Sequence, residues 1–167
     1  MNLSFSTRGW ECLSWEDALA DAEQMRFGGI ELYNVQKRPE LTDRGGPLHK
    51  YNTAATARLL RDRKLEIPCL DTSCDLSSDP AARQTLAQLL EIAHNLQVPC
   101  VSACALSDRE DDVRAAVSAL LPEAERQGVT LLLKTSGIYA DTSRLRAFLD
   151  SYACDQLARC QIGRAHV

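Results

Sequence analysis

Short apolar runs alternate along this chain with longer stretches in which apolar residues recur every three to four positions. The runs have the length and composition of buried strands, and they occupy residues 3–6, 29–33, 67–71, 100–104 and 130–134. Strands that are separated by single helices pair in parallel, because a tight hairpin cannot join parallel strands. The pattern therefore predicts an α/β protein.

The periodic stretches predict helices at residues 15–25, 52–64, 79–96, 111–128 and 141–152. Their first residues follow the usual start signals. Ser14 stands before the first helix as an N-cap, with Asp17 as its acidic partner three positions later. Asp79 caps the third helix, and the cap of the last helix is Asp141 or Thr142.

Two architectures fit a series of parallel strands and helices: an open doubly wound sheet, and part of an eight-stranded barrel ringed by helices. Polar residues inside two of the apolar runs, Glu31 and Ser102, favour the barrel, since its interior is wide enough to hold a polar layer. No glycine-rich phosphate loop follows any predicted strand.

Composition narrows the function. The chain has 167 residues, 45% of them hydrophobic and 25% charged, which predicts one globular domain. A net charge of −4 argues against a nucleic-acid partner, and no apolar run is long enough to cross a membrane. The N-terminus lacks the pattern of a signal peptide, so we expect a cytoplasmic protein. Seven scattered cysteines without a CxxC pair predict reduced thiols rather than disulfides or a zinc site.

Four stretches carry a resemblance to a known family: LSFSTRGW, FGGIELYNV, EIPCLDTSCDL and LLPEAERQGVTLLLKTSGIYADTSRLRAFLD. They are similar to the xylose-isomerase-like TIM-barrel family, which contains sugar phosphate isomerases and epimerases, and the resemblance covers residues 3–158. The resemblance implies a (β/α)8 TIM barrel and a divalent metal, Mn, Mg or Zn, in the intact parent protein. It places the metal ligands at the ends of later strands: a glutamate on the fifth, then an acidic residue, a histidine and a second glutamate.

Lys134 stands where the resemblance places the first of these glutamates. An ammonium there removes a ligand and repels a dication, so we expect no metal in this chain. The ammonium can instead stabilise a developing enolate oxygen, or act as a base if burial lowers its pKa. An ion pair with Glu31, or a solvated lysine at the barrel rim, is the alternative.

The sequence after residue 158 departs from the family. We expect no sixth, seventh or eighth strand and a barrel truncated to about five βα units, over residues 1–160. Residues 161–167 match the translation of a common sequencing-library adapter, which predicts a non-native tail without core contacts. Open first and fifth strands predict self-association through the exposed edges, and we expect the isolated chain to be inactive.

Besides Lys134, two residues are candidates for catalysis. Glu31 is expected to face the barrel interior, where a carboxylate must meet a cation or be protonated, so it has a structural ion pair as its alternative role. His49 lies on the loop after the second strand, on the side where barrel enzymes carry their chemistry, unless it is simply solvated. His94, within the third helix, is predicted to be structural.

The candidates for binding a sugar or sugar phosphate also follow strands. Arg8 suits a phosphate or carboxylate clamp, because guanidinium binds both groups bidentately. Trp10 and Tyr33 would line an apolar wall against a sugar ring or pack in the core. The remaining candidates can bind sugar hydroxyls or simply cap their loops; they are Asp71, Ser73, Asp75, Ser102 and Tyr139.

The sequence thus predicts part of a sugar (phosphate) isomerase or epimerase that moves a proton next to a carbonyl. A non-catalytic, metal-free sugar-binding or regulatory barrel is the alternative that Lys134 motivates. An abasic-site endonuclease-like phosphodiesterase is a third possibility, which the acidic charge balance disfavours.

Overall fold

The computed structural model describes residues 3–10, 12–77, 79–152 and 154–160. Its strands are short and pair only in parallel. Strands β1 (Ser4–Ser6) and β2 (Gly29–Glu31) pair with each other, and a second sheet holds β3 (Cys100–Ala103), β4 (Thr130–Lys134) and β5 (Leu157–Cys160). These pairings confirm the predicted parallel α/β fold.

Residues 66–71 connect the two sheets without forming a regular strand, so the predicted strand at 67–71 is only partly right. The Ile30 amide donates to the Glu66 carbonyl (2.9 Å) on one side, and the Leu70 amide donates to the Cys100 carbonyl (3.0 Å) on the other. Pro68 has no N–H to give to this ladder. The pairing consequently slips by one residue, from Gly29 opposite Glu66 to Leu32 opposite Leu70.

Strand β5 shows that the expectation of no sixth strand was wrong. It pairs with β4 over four residues, from Leu131 opposite Leu157 to Lys134 opposite Cys160. Counting residues 66–71 as the third strand, the chain forms five βα units and this further strand. Within the described residues, β1 and β5 each have one strand neighbour, so the barrel is not closed. The predicted tail at 161–167 lies outside the described residues.

The helices surround the outer side of the strands. They are α1 (Trp15–Gln24), α2 (Pro39–Thr42), α3 (Thr53–Asp62), α4 (Pro80–Leu96), α5 (Glu110–Gln127) and α6 (Thr142–Asp150). The predicted caps are present: Ser14 Oγ accepts the Asp17 amide (3.1 Å), and Asp79 Oδ1 accepts the Ala81 amide (2.9 Å). Of the two candidate caps for the last helix, Asp141 is the one observed, since its carboxylate accepts the Ser143 amide (2.9 Å).

The sequence pattern did not predict α2 or the 3₁₀ turns Val35–Lys37 and Gly137–Tyr139. The first two of these lie in the long connection between β2 and α3. Leu41 and Leu48 anchor this connection, because both side chains are fully buried in the core. None of the helices in the described ranges is long and apolar enough to span a membrane.

Alternation along the strands separates two faces. Leu131 and Leu133 of β4 are buried against the helices, whereas Leu132 and Lys134 point to the concave inner side and are partly exposed. The same alternation in β3 turns Ser102 inward, and in β2 it turns Glu31 inward. The polar residues that favoured a barrel therefore do face its interior.

All seven cysteines are free thiols. Cys69, Cys74 and Cys104 are buried, while Cys12 is exposed. Burial raises the pKa of the Cys69, Cys74 and Cys104 thiols above the ordinary value. These buried thiols are therefore protonated at neutral pH and poor nucleophiles.

Candidate active site

Lys134 ends β4 on the inner side of the open barrel, at the carboxyl ends of the strands. Its ammonium donates to Asp71 Oδ1 (2.8 Å) and to the Thr72 carbonyl (2.7 Å). The Lys134 side chain is 11% exposed and that of Asp71 is 5% exposed. The partner of Lys134 is thus Asp71, and the proposed ion pair with Glu31 is wrong.

The second carboxylate oxygen of Asp71 is bound as well. Ser102 Oγ donates to Asp71 Oδ2 (3.1 Å) and accepts the Thr72 amide (3.1 Å). Thr72 Oγ1 in turn donates to the Ser102 carbonyl (2.6 Å). Asp71, Thr72 and Ser102 are all buried, so the network fixes the carboxylate and, through it, the position of the Lys134 ammonium.

A cavity of about 520 Å³ opens beside this network. Its lining contains two cations, Arg8 and Lys134, and no carboxylate side chain; the other lining residues are Tyr33, Ser73, Cys104, Leu106, Thr135 and Ser136. The Arg8 guanidinium carbon lies 5.4 Å from the centroid of the Tyr33 ring, and Lys134 Nζ lies 5.7 Å from the same centroid. Both distances fall within the roughly 6 Å over which a cation attracts an aromatic ring.

Glu31 is half-buried on the inner face at the end of β2. No hydrogen bond or ion pair to its carboxylate exists among the residues described, so the expected cation partner is absent from this part of the chain. The carboxylate adds to burial in raising the pKa of the Cys69 and Cys160 thiols. That influence agrees with a carboxylate that points into the barrel interior.

The loop after residues 66–71 holds two more of the predicted binding residues. Ser73 lines the cavity, and its hydroxyl accepts the Gln36 side-chain amide (2.6 Å). Asp75 Oδ1 accepts the Leu106 amide (2.7 Å), which ties two loops of the mouth together. Ser73 is therefore placed to meet a ligand, whereas Asp75 holds the loops.

Two predicted site residues lie elsewhere. His49 is part of a separate cavity of about 590 Å³ beside α4, and its ring packs against Tyr51 at 5.2 Å between centroids. Tyr139 is fully buried, 5.1 Å from the Phe148 ring, and burial raises the pKa of its phenol. Its place in the core does not support a substrate contact. His94 Nδ1 lies 2.7 Å from the Gln127 carbonyl, a bond between two helix ends that fits the structural role predicted for it.

A family model described as a xylose isomerase-like TIM barrel matches residues 19–156. The chain belongs to the xylose isomerase-like TIM-barrel family. The resemblance read from the four sequence stretches is thereby confirmed. No curated protein matches the sequence significantly.

Solved structures with this fold align over most of the chain. The probable 3-DHS dehydratase AsbF of Bacillus anthracis, involved in petrobactin synthesis, has a TM-score of 0.72 and 17% identity, and the alignment covers 95% of this chain and 62% of that one. The IOLI protein, whose structure holds a zinc atom, has a TM-score of 0.73, 17% identity and coverages of 94% and 61%.

A sugar phosphate isomerase/epimerase from Parabacteroides distasonis ATCC 8503 has a TM-score of 0.53 and 15% identity, over 80% of this chain and 50% of that one. At such identities the likeness shows the fold. The chain spans about three fifths of the length of AsbF and the IOLI protein.

The donor set of this family member does not fit a divalent cation at the end of β4. Lys134 offers no lone pair, and its charge repels a dication. Asp71 is already held by Lys134 and Ser102. Across the described ranges, no group of three or more His, Cys, Asp or Glu residues is placed to hold a metal ion. A divalent metal that an intact parent protein binds through other residues stays a prediction.

Sequence reasoning missed Thr72, Thr135, Ser136 and Cys104 as parts of the site. Thr72 and Cys104 follow strands directly, and position at a strand end was the signal that would have found them. Thr135 and Ser136 follow Lys134 in the sequence and line the same cavity. Tyr33, predicted to line an apolar wall or pack in the core, is the ring beside both cations.

Proposed function

We propose that this chain supplies part of the active site of a sugar or sugar phosphate isomerase or epimerase. The observation that carries the proposal is Lys134, whose ammonium is fixed by Asp71 at the edge of a cavity on the inner side of the barrel. An ammonium that is held in place before substrate binds can stabilise charge that develops in the transition state.

Two of the three ammonium protons of Lys134 have acceptors, Asp71 Oδ1 and the Thr72 carbonyl. The third is left for an oxygen of the substrate. We assign it to the carbonyl oxygen of the substrate, which becomes negative when a proton leaves the neighbouring carbon. Asp71 and Ser102 act as positioning residues, because Asp71 binds the ammonium and Ser102 holds Asp71 in place.

The cavity lining holds no carboxylate, so we assign the proton transfer to Glu31, which lies outside this lining on the inner face at the end of β2 and which no described group hydrogen-bonds. The carboxylate takes a proton from the carbon next to the carbonyl, and the electrons of the C–H bond pass to the oxygen beside Lys134, giving an enediolate. Return of the proton to the former carbonyl carbon, while the hydroxyl proton of the neighbouring carbon passes to the oxygen beside Lys134, completes an isomerisation. Delivery of a different proton by a second group to the opposite face of the original carbon completes an epimerisation.

Two further features support this proposal over its alternatives. The fold is that of a sugar phosphate isomerase/epimerase from Parabacteroides distasonis, although dehydratases share it. The net charge of −4 disfavours a phosphodiesterase that acts on abasic DNA. We place the protein in carbohydrate metabolism in the cytoplasm, where its free thiols would stay reduced.

Hydrogen exchange at the substrate carbon tests the proposal directly. The protein is incubated in D₂O with a panel of aldose, ketose and sugar phosphate substrates, and proton NMR follows loss of the signal next to the carbonyl. Because the chain spans about three fifths of AsbF, a longer form that contains it is assayed beside it. In the longer form we expect exchange with at least one substrate and a drop of roughly 100-fold in Lys134→Ala.

Lys37→Ala is the matched control, since Lys37 is an exposed lysine outside the cavity. It should leave exchange unchanged. Binding of the panel without exchange by either form would contradict the proposal and favour the sugar-binding barrel.

A further inference from the structure

The cavity beside Lys134 contains two cations that are not equivalent. Lys134 is compensated by Asp71, 2.8 Å away. Arg8 is exposed, and the described residues give its guanidinium no carboxylate partner; the Tyr33 ring, 5.4 Å away, is its neighbour. The uncompensated positive charge of the cavity therefore belongs to Arg8.

We infer that Tyr33 and its two cations form a two-point recognition site for a substrate that carries a phosphate or carboxylate group. The inference rests on the proposed function, which puts the carbonyl oxygen of the substrate at Lys134. The anionic group then binds Arg8, because an uncompensated guanidinium attracts an anion and holds it with two parallel hydrogen bonds. Tyr33 sets the separation of the two points and is a specificity-determining residue.

The position of Tyr33 is itself fixed. Its amide donates to Thr7 Oγ1 (2.9 Å), and the Thr7 amide donates to the Glu31 carbonyl (2.9 Å). Thr7 is buried at the end of β1, directly before Arg8. One pair of hydrogen bonds thus locks the backbone that carries the ring to the backbone that carries the guanidinium.

Hydroxyl groups occupy the remaining polar positions of the lining. Ser136 Oγ is buried without an oxygen or nitrogen partner among the described residues, and its polar neighbour is the weakly hydrogen-bonding thiol of Cys104. Ser73 and Thr135 line the same cavity. A buried hydroxyl without a partner is costly, and a hydroxylated ligand would satisfy it. The site therefore matches a short polyol chain with a carbonyl at one end and an anion at the other.

Three probes with one carbon skeleton separate the possible anions: glycerol 3-phosphate, glycerate and glycerol. Each is titrated calorimetrically into the 167-residue protein at low ionic strength. We expect at least one of the two anions to bind at least 10-fold more tightly than glycerol. Preference for glycerol 3-phosphate identifies a phosphate site, and preference for glycerate identifies a carboxylate site. Equal affinity for all three probes, or no anion binding, would overturn the inference.

Variants test the two residues separately. Arg8→Gln should remove the advantage of the anion over glycerol, and Arg8→Lys should keep only part of it, because lysine lacks the bidentate fork. Tyr33→Leu should weaken anion binding, whereas Tyr33→Phe keeps the ring and should bind normally. Arg58→Gln, on the exposed side of α3, is the control for the loss of one positive charge. Circular dichroism confirms that each variant is folded.

Anion affinity that is unchanged in Arg8→Gln would contradict the inference. The result is independent of catalysis. Arg8-dependent anion binding without hydrogen exchange would defeat the proposed proton transfer and leave the anion site standing. Hydrogen exchange that persists in Arg8→Gln with an unaltered KM would defeat the anion site and leave the proposed proton transfer standing.

Discussion

Replacing Asp71 by Asn tests whether the buried charge pair with Lys134 organises the site. The substitution keeps the size of the side chain and one oxygen acceptor, but it removes the negative charge 2.8 Å from the Lys134 ammonium. Lys134 is then left 11% exposed with neutral acceptors only. A buried charge that loses its counter-ion is strongly destabilising.

The expected magnitude follows from the burial of the two groups. Removing one partner of a buried pair costs about 3 to 5 kcal/mol, and the residual exposure of Lys134 favours the lower end of this range. We therefore expect Asp71→Asn to reduce the free energy of unfolding by about 3 kcal/mol. Lys134→Met should lower the free energy of unfolding less in the Asp71→Asn background than in the wild-type protein. The coupling energy between the two substitutions should be about 2 kcal/mol.

Urea unfolding at pH 7 provides the measurement, followed by the fluorescence of Trp15, which is 8% exposed in the core. Asp75→Asn is the matched control. Asp75 lies in the same loop and accepts a backbone amide (2.7 Å), but it has no ion pair among the described residues. The reasoning would be refuted if Asp71→Asn cost no more than Asp75→Asn, or if the Asp71 and Lys134 substitutions were additive.

Three other substitutions test separate features. Lys134→Glu should raise the affinity for Mn²⁺ at least 10-fold in calorimetric titration, because it restores a carboxylate beside Asp71; equal affinity in both forms would argue against Lys134 as the obstacle. Hydrogen bonds from Arg144 hold the pKa of the Glu110 carboxyl below its ordinary value. That pair stabilises the fold above the ordinary glutamate pKa, and the gain is lost as pH falls through the lowered value. Glu110→Gln should thus lower the free energy of unfolding at pH 7 but not in strong acid. If urea titrations gave the same difference between wild type and variant at both pH values, the pH linkage would be disproved. Ser14→Ala should cost about 1 kcal/mol in thermal unfolding through loss of the α1 cap, and an unchanged midpoint would contradict that role.

The helices were predictable from the sequence because each buries one periodic face and carries its own end signals. The cap at Ser14 and the start of α4 after Asp79 depend on neighbours within three residues, so they are visible locally. Strand β5 was not predictable in this way. Its residues Leu157–Cys160 include an exposed arginine and are too short for a clear alternation, and only pairing with β4 makes them a strand.

The candidate site shows the same division between local and distant information. The end position of Lys134 could be read from an apolar run that stops at a charge. Its partner could not be predicted, because Asp71 lies 63 residues earlier and several other acidic residues were equally possible partners. Tyr33 was equally hidden, since its role depends on two cations brought to the ring from different strands.

The slipped pairing around Pro68 decides which side chains belong to the site. Ile67 and Leu70 are both buried, although they are three residues apart, and an uninterrupted strand would send them to opposite faces. Because of this irregularity, each later residue of the segment faces the side opposite to the one that regular alternation from Ile67 would give it. Forcing residues 66–71 into a regular strand of the same length would aim Leu70 at the cavity and drive Asp71 among the helices, whereas deleting one residue there would straighten the strand and keep both orientations. The one extra residue in this segment therefore keeps the counter-ion of Lys134 on the inner side of the barrel.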